Sequence, residues 1–194
     1  IFNLYKDVPY SAFVHGGSTC SITTGIHFLS LVCEIFDEIP YSVYSDIIND
    51  KINPRHEKLG YWSGTSIYYF KKKKFFTISN TNQSPIKNTL SIYGKKIRVD
   101  LIGNKIFYGK IKKKIKKITN HQLVEANQFN FNINKNYYRE MLKRLDNTKT
   151  KEMRFNGLVM KTILRSLSSS LLKKKVNTST NLKQNLSKKK WPVS

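Results

Sequence analysis

Between Tyr61 and Ile111 the sequence breaks into five short runs rich in aromatic and β-branched residues: Thr65 to Phe70, Phe75 to Ser79, Thr89 to Tyr93, Ile97 to Ile102 and Lys105 to Ile111. Runs this short, bounded by polar and glycine-containing turns, predict strands rather than helices. Ile97, Val99 and Leu101 alternate with Arg98 and Asp100, the period of a half-buried strand, and Gly103-Asn104 then offers a two-residue hairpin turn. The polar stretch from Asn80 to Asn88 reads as a loop.

Before this region the period is different. Ile22, Ile26, Leu29, Cys33 and Phe36 recur at helical steps, with Thr19 as a candidate N-cap and Pro40 beyond the end, so a buried helix is expected there. Tyr44, Ile47 and Ile48 suggest a second helix from Tyr41 to about Asp50, stopped by Asn53-Pro54. After the strands, Ile111, Ile115 and Ile118 enclose five lysines, the pattern of a basic amphipathic helix. Residues 127 to 136 are Asn-rich and read as a loop. Two further helices are expected, from about Asn136 to Leu145 and from about Glu152 to Lys173, the latter weakened by Gly157 and by Ser168 to Ser170. Past Lys175 no hydrophobic period remains.

The expected fold class is therefore α+β: a small antiparallel β-sheet or barrel flanked by helices, with an N-terminal helical hairpin and a basic extended C-terminal tail. Charge divides the chain in the same way. Residues 1–57 hold 3 basic and 7 acidic side chains, whereas residues 58–194 hold 32 and 5. The expected organisation is a near-neutral to acidic helical module over 1–57, a basic α+β RNA-binding domain over 58–172 and a basic extended tail over 173–194.

A formal charge of +23 on 194 residues implies a polyanionic partner, because so uniform a surface repels itself when unpartnered. The candidate RNA-binding groups are Lys71, Lys72, Lys73, Lys74, Lys95, Lys96, Lys105 and Lys110, then Lys112, Lys113, Lys114, Lys116 and Lys117. Lys173, Lys174 and Lys175 follow, and Lys188, Lys189 and Lys190 precede the candidate anchor Trp191 in the tail. Such groups displace condensed counterions from phosphates. Aromatic residues among them, such as Tyr69 and Tyr108, offer stacking platforms for unpaired bases. The signature of the common RNA-recognition module is missing, which favours recognition of shape and phosphate over base readout.

Catalytic patterns are weak. His15-Gly16-Gly17-Ser18 superficially resembles the His-Gly-Gly loop of esterases, but no Gly-x-Ser-x-Gly elbow accompanies it. Cys20, His27 and Cys33 lack a compact fourth metal ligand, and the spacing of the two cysteines fits neither a disulfide scaffold nor a zinc knuckle. There is no phosphate-cradling Gly-x-x-x-x-Gly-Lys-Ser/Thr loop, and the carboxylates of the basic part are too dispersed to hold catalytic metals. No catalytic residue, metal or cofactor is assigned.

The longest mainly apolar stretch, Ile26 to Phe36, falls well short of the roughly 20 residues a membrane-spanning helix needs. Codon chemistry adds the last expectation: 29 Lys against 6 Arg, with abundant Asn and Ile, indicates a very AT-rich gene. A start at Ile1 fits a trimmed chain or a non-AUG organellar start. Together these features lead to the expectation of a non-enzymatic structural rRNA-binding protein of a mitochondrial ribosome, with rRNA and neighbouring ribosomal proteins as partners. The alternative is an accessory subunit of an organellar membrane complex that binds anionic lipid.

Overall fold

The computed structural model describes residues 1–17, 20–50, 60–81, 87–102, 105–112, 122–123, 127–130 and 150–178. The elements run β1 (Ser11–Gly16), α1 (Gly25–Phe36), β2 (Ser42–Asp50), β3 (Tyr61–Tyr69), a single 3-10 turn (Lys71–Lys73), β4 (Phe75–Asn80), β5 (Thr89–Tyr93), β6 (Ile97–Ile102), β7 (Lys105–Lys112), β8 (Gln122–Leu123), β9 (Asn127–Asn130), α2 (Thr150–Leu172) and β10 (Val176–Asn177). The described strands form one sheet in the order β10-β2-β3-β4-β1-β5-β6-β7-β8, with β9 also pairing β7.

The sheet is mixed and open, which corrects the expected small antiparallel sheet or barrel. Its central strand, β1, lies parallel to β4 and antiparallel to β5. The run Ser-Ala-Phe-Val-His-Gly gave no strand signal because its inward residues are small. Ala12, Val14 and Gly16 are buried while Phe13 and His15 are exposed, a period of two that only a sheet uses.

The expected N-terminal helical hairpin is corrected as well. Residues 42–50 form a strand: Val43, Ser45 and Ile47 are buried, whereas Tyr44, Asp46 and Ile48 are exposed. A helix there would satisfy its backbone locally, but β3 offers a nine-residue antiparallel ladder from Ser42↔Tyr69 to Asp50↔Tyr61. Tertiary pairing outweighs the weak helical spacing of Tyr44, Ile47 and Ile48. Helix α1 begins at Gly25, six residues after the expected Thr19 cap, and Thr19 itself lies outside the described residues. The five expected strands from Thr65 onward coincide with β3 to β7, and α2 coincides with the helix expected from about Glu152. Ile111 and Lys112 belong to β7 rather than to a helix. The remainder of that proposed basic helix, the proposed helix from Asn136 to Leu145 and the end of the tail lie outside the described residues.

Both helices pack on one face. Leu29, Val32, Cys33 and Phe36 of α1 and Val159 and Ile163 of α2 close over Ala12, Val14, Val43, Tyr68, Phe76, Ile78, Leu90, Ile92 and Val99. Gly25 lets α1 approach β4 and α2, since a Cβ there would stand 3.2 Å from Ile78 Cδ1 and 3.7 Å from Ile163 Cδ1. The N-terminal segment covers the far end of the same face, where Tyr5 meets Tyr108 with ring centroids 6.0 Å apart.

The serine run that weakens α2 on propensity alone has a use in the edge of the sheet. Val176 and Asn177 pair only with Val43 and Ser42, which leaves the next edge groups of β2 without a strand partner. Hydroxyls of α2 occupy that place. Ser45 N–H donates to Ser169 Oγ at 2.9 Å, Ile47 N–H donates to Ser170 Oγ at 3.0 Å, and Ser170 O–H donates to Ile47 O at 2.7 Å. An edge that would otherwise template pairing with another chain is thereby closed by side chains. Ser170→Ala leaves both polar groups of Ile47 without these bonds and is expected to cost about 1–3 kcal/mol. Urea unfolding of the variant checks this value, and an unchanged midpoint would contradict the assigned role.

Candidate interaction face

Opposite the helices, the register of the ladder aligns side chains of seven strands into three rows. The first runs Ser42, Tyr69, Phe75, Ser11, Tyr93, Arg98, Gly109. The second is Tyr44, Ile67, Thr77, Phe13, Ser91, Asp100, Phe107, and the third Asp46, Thr65, Ser79, His15, Thr89, Ile102, Lys105. Neither helix covers these rows. Phe13, Tyr44 and Ile102 of these rows, and Ile48 beyond them on β2, remain 37%, 39%, 39% and 58% exposed.

Phe13 stands at the centre. Its ring meets Phe75 edge-on at 5.3 Å and Tyr93 edge-on at 5.6 Å, so three adjacent strands present one aromatic cluster. Charges lie at the two sides. Arg98 Nε reaches Asp100 Oδ2 at 2.9 Å and its guanidinium lies 5.1 Å from the Tyr93 ring centre. On the other side Lys173 Nζ pairs with Asp46 Oδ1 at 2.6 Å, and the carboxylate holds the exposed ammonium above its ordinary pKa. Lys175 Nζ lies 3.7 Å from the centre of the Tyr69 ring.

Several lysines expected to meet phosphate therefore have partners within the protein. Lys74 Nζ donates to Phe36 O at 3.1 Å, where the last carbonyls of α1 favour a cation, and Lys96 Nζ donates to Lys6 O at 3.3 Å. Lys71, Lys72 and Lys73 are exposed on the turn between β3 and β4, and Lys71 N–H donates to Glu38 Oε1 at 2.7 Å. Lys95 and Lys174 are exposed, Lys105 sits on the open face, and Lys110 and Lys112 are in β7. Lys113, Lys114, Lys116, Lys117, Lys188, Lys189, Lys190 and Trp191 lie outside the described residues. The described members are spread over both ends of the sheet rather than gathered into one groove.

No group of three or more His, Cys, Asp or Glu capable of holding a metal occurs among the described residues. Cys33 is buried, and desolvation, with the nearby Glu34 and Glu38 charges, pushes its thiol up to about 12, so it is no nucleophile near neutral pH. Desolvation likewise pushes the buried Tyr68 phenol up, and it lowers the pKa of the Arg165 guanidinium inside α2. Among the described residues no helix is long and apolar enough to cross a membrane.

No protein-family model matches the sequence, and no curated protein matches it. The fold does have solved counterparts. Levoglucosan dehydrogenase in complex with NADH superposes with a TM-score of 0.62 at 7% identity over 90% of this chain and 59% of that one. The transcriptional regulator Gal80p of Kluyveromyces lactis gives 0.61 at 11% identity over 92% and 56%, and an NADPH-dependent oxidoreductase of Desulfitobacterium hafniense gives 0.61 at 9% over 92% and 59%. The chain thus spans less than two thirds of the length of the structures it matches. These likenesses correct the expectations of a ribosomal rRNA-binding protein, of rRNA and ribosomal proteins as partners and of a non-enzyme, together with the lipid-binding alternative. Basic composition had carried the RNA, partner and lipid expectations, and the weakness of catalytic motifs the non-enzymatic one; the fold is one shared by oxidoreductases and a transcriptional regulator.

The open face was missed by reading residues 1–57 as helical. Hydropathy does not alternate in residues 11–16 or 42–48, where Ala12-Phe13-Val14 and Ile47-Ile48 are apolar on both faces, and only the burial alternation of the folded strands places Phe13, His15, Tyr44 and Asp46 beside the β3 to β7 residues.

Proposed function

We propose that this chain works as the sheet domain of a dehydrogenase-like protein, a rigid framework rather than the part that cradles a dinucleotide. The observation that supports this reading is the fold likeness itself, which extends over 84–92% of this chain for the oxidoreductases and 92% for a Gal80 regulator.

NADH is the cofactor such folds bring to mind, and the described residues do not fit it. A dinucleotide site needs glycines that let phosphate approach the backbone between a strand and a helix N-terminus. This sequence contains no Gly-x-Gly. Gly16 ends β1 and Gly17 follows it, yet α1 starts only at Gly25, and a Cβ at Gly16 would collide with the Asn88 side-chain amide. The space beside Gly16 is filled by the protein itself. Titration of the full chain with NADH and NADPH, followed by nicotinamide fluorescence, is expected to show no saturable binding up to about 1 mM, the upper end of usual substrate constants. Saturable binding within that range would overturn the assignment of a framework role.

A further inference from the structure

We infer that the end of the sheet carrying the β3–β4 and β5–β6 turns docks an extended acidic segment of a different protein, with an apolar side chain between its carboxylates. Both turns stand at the Ser11 end of β1, which pairs there with Phe75 after the first turn and with Tyr93 before the second. Lys71, Lys72 and Lys73 make the first turn and Lys95 lies in the second, while Lys6 sits beside it on the segment that Asp7 fixes to the turn. All five are exposed. Unlike Lys74, Lys96, Lys173 and Lys175, none of them has an ion pair or hydrogen bond through its ammonium group among the described residues. Two carboxylates at this end are engaged by backbone instead: Asp7 takes four N–H groups, and Glu38 takes that of Lys71.

Composition alone does not account for these lysines. Lys74 N–H closes the first turn onto Lys71 O at 3.2 Å, and the two central residues, Lys72 and Lys73, hold φ of 53° and 60°. Hairpin turns favour Asn-Gly at such positions, because glycine and asparagine enter the left-handed region at little cost whereas lysine is strained there. Lys6, with φ of 48°, is a third case at the same end of the sheet. AT-rich codons supply Asn as readily as Lys, and the chain is rich in Asn, so codon bias does not force the choice. Strain kept at three positions points to a use for the charge, and among the described residues no carboxylate inside the protein uses it.

Between the two turns the surface is apolar. Tyr10 N–H donates to Tyr93 O at 2.9 Å and its carbonyl accepts from Phe75 N–H at 3.3 Å, which places residue 10 midway between them. Tyr10 and Val8 are 44% and 63% exposed. The strand order β3-β4-β1-β5-β6 sets the turns three strand spacings apart, about 14 Å. An extended chain covers that distance in about four residues, and its alternate side chains share one face. Acidic residues at positions i and i+4 therefore reach the two lysine turns while an apolar residue at i+2 rests on Val8 and Tyr10. A polynucleotide matches the charge but offers nothing aliphatic to Val8. This chain's own acidic run, Glu34 to Glu38, is held in and just beyond α1, so the segment belongs to another protein.

Fluorescence anisotropy of the full chain with a labelled peptide of Glu-Ser-Leu-Ser repeats tests the inference. Binding is expected with a Kd of about 10–100 μM at about 50 mM salt, weakening as salt rises and lost when Gln replaces Glu in the peptide. Lys72→Asn combined with Lys73→Gly is expected to weaken binding about 5-fold or more. The same pair should raise the urea midpoint, because the turn then holds its preferred residues, and a gain of stability with a loss of affinity is not what a folding defect produces. Val8→Ser should also weaken binding, whereas Lys105→Asn, at the opposite end of the sheet, should leave it unchanged. The inference does not rest on the framework role, and NADH binding would leave it standing. No saturation below about 1 mM, equal binding of the Gln peptide, or unchanged affinity of the Lys72/Lys73 variant would each overturn it. Tighter binding of a single-stranded oligonucleotide of equal charge would also overturn it, in favour of a nucleic-acid surface.

Discussion

Replacing Asp7 with alanine is expected to lower the unfolding free energy by about 2–4 kcal/mol, among the larger effects available outside the core. Asp7 is 8% exposed and gathers four backbone donors: Lys96 N–H at 2.7 Å, Val8 N–H at 2.9 Å, and Lys95 and Ile97 N–H at 3.1 Å each. Its carboxylate therefore holds the turn between β5 and β6 closed against the N-terminal segment. Water can replace it at Lys95 and Lys96, which are exposed, but not at the buried Ile97, so the loss is smaller than four full charged bonds. Gly94 is part of the same arrangement, because a Cβ there would collide with Asp7 Oδ2.

The same contacts make stability depend on pH. Burial alone would push the Asp7 carboxyl up, but the four N–H groups together hold it below its ordinary value. A carboxyl with a depressed folded-state pKa stabilises fully above its unfolded value of about 3.9, and that contribution disappears as pH falls through the folded value. Urea midpoints measured from pH 7 down to pH 2 should show the wild type losing stability below about pH 4 more steeply than Asp7→Ala. Parallel curves would mean that Asp7 does not hold the turn.

Legibility in the sequence followed the distance over which each element finds its partner. β5, β6 and β7 pair with their nearest neighbours along the chain, so the alternation of Ile97, Val99 and Leu101 sufficed to place them. β1 pairs with β4 and β5, more than 60 residues away, and its inward Ala12 and Gly16 carry little hydrophobic signal. β2 carries Tyr44, Ile47 and Ile48 at spacings that either period tolerates, and only the ladder with β3 decides between them. Function was less legible still. A lysine count reports average charge, but Lys74, Lys96, Lys173 and Lys175 acquire internal partners that no composition records. The serines of α2 read as a propensity defect because their edge-closing bonds to Ser45 and Ile47 span more than 120 residues.

Gly64→Ala is expected to be the most damaging single-methyl addition in the described sheet. Gly64 lies within β3 with φ of +124°, a backbone conformation that side-chain-bearing residues rarely adopt. Its neighbour across the ladder is Ile47, and an added Cβ would stand 2.9 Å from Ile47 Cα and closer still to the Asp46 carbonyl. Neither obstacle is a flexible side chain. Relief requires β2 to move, yet β2 is fixed on its other edge by Ser169 and Ser170 of α2 and by β10. Backbone strain of about 1–3 kcal/mol and a comparable packing cost combine to about 2–6 kcal/mol, against a total stability of about 5–15 kcal/mol for a typical domain. Hydrogen exchange should show the β2 and β3 amides losing protection first, since the ladder opens where the methyl group is inserted. Gly157→Ala is the control: a Cβ there meets nothing within 4 Å, and alanine favours α2, so the variant should be neutral or gain up to about 1 kcal/mol. If the two substitutions shift the urea midpoint equally, the tight approach of β3 to β2 is not what requires glycine at position 64.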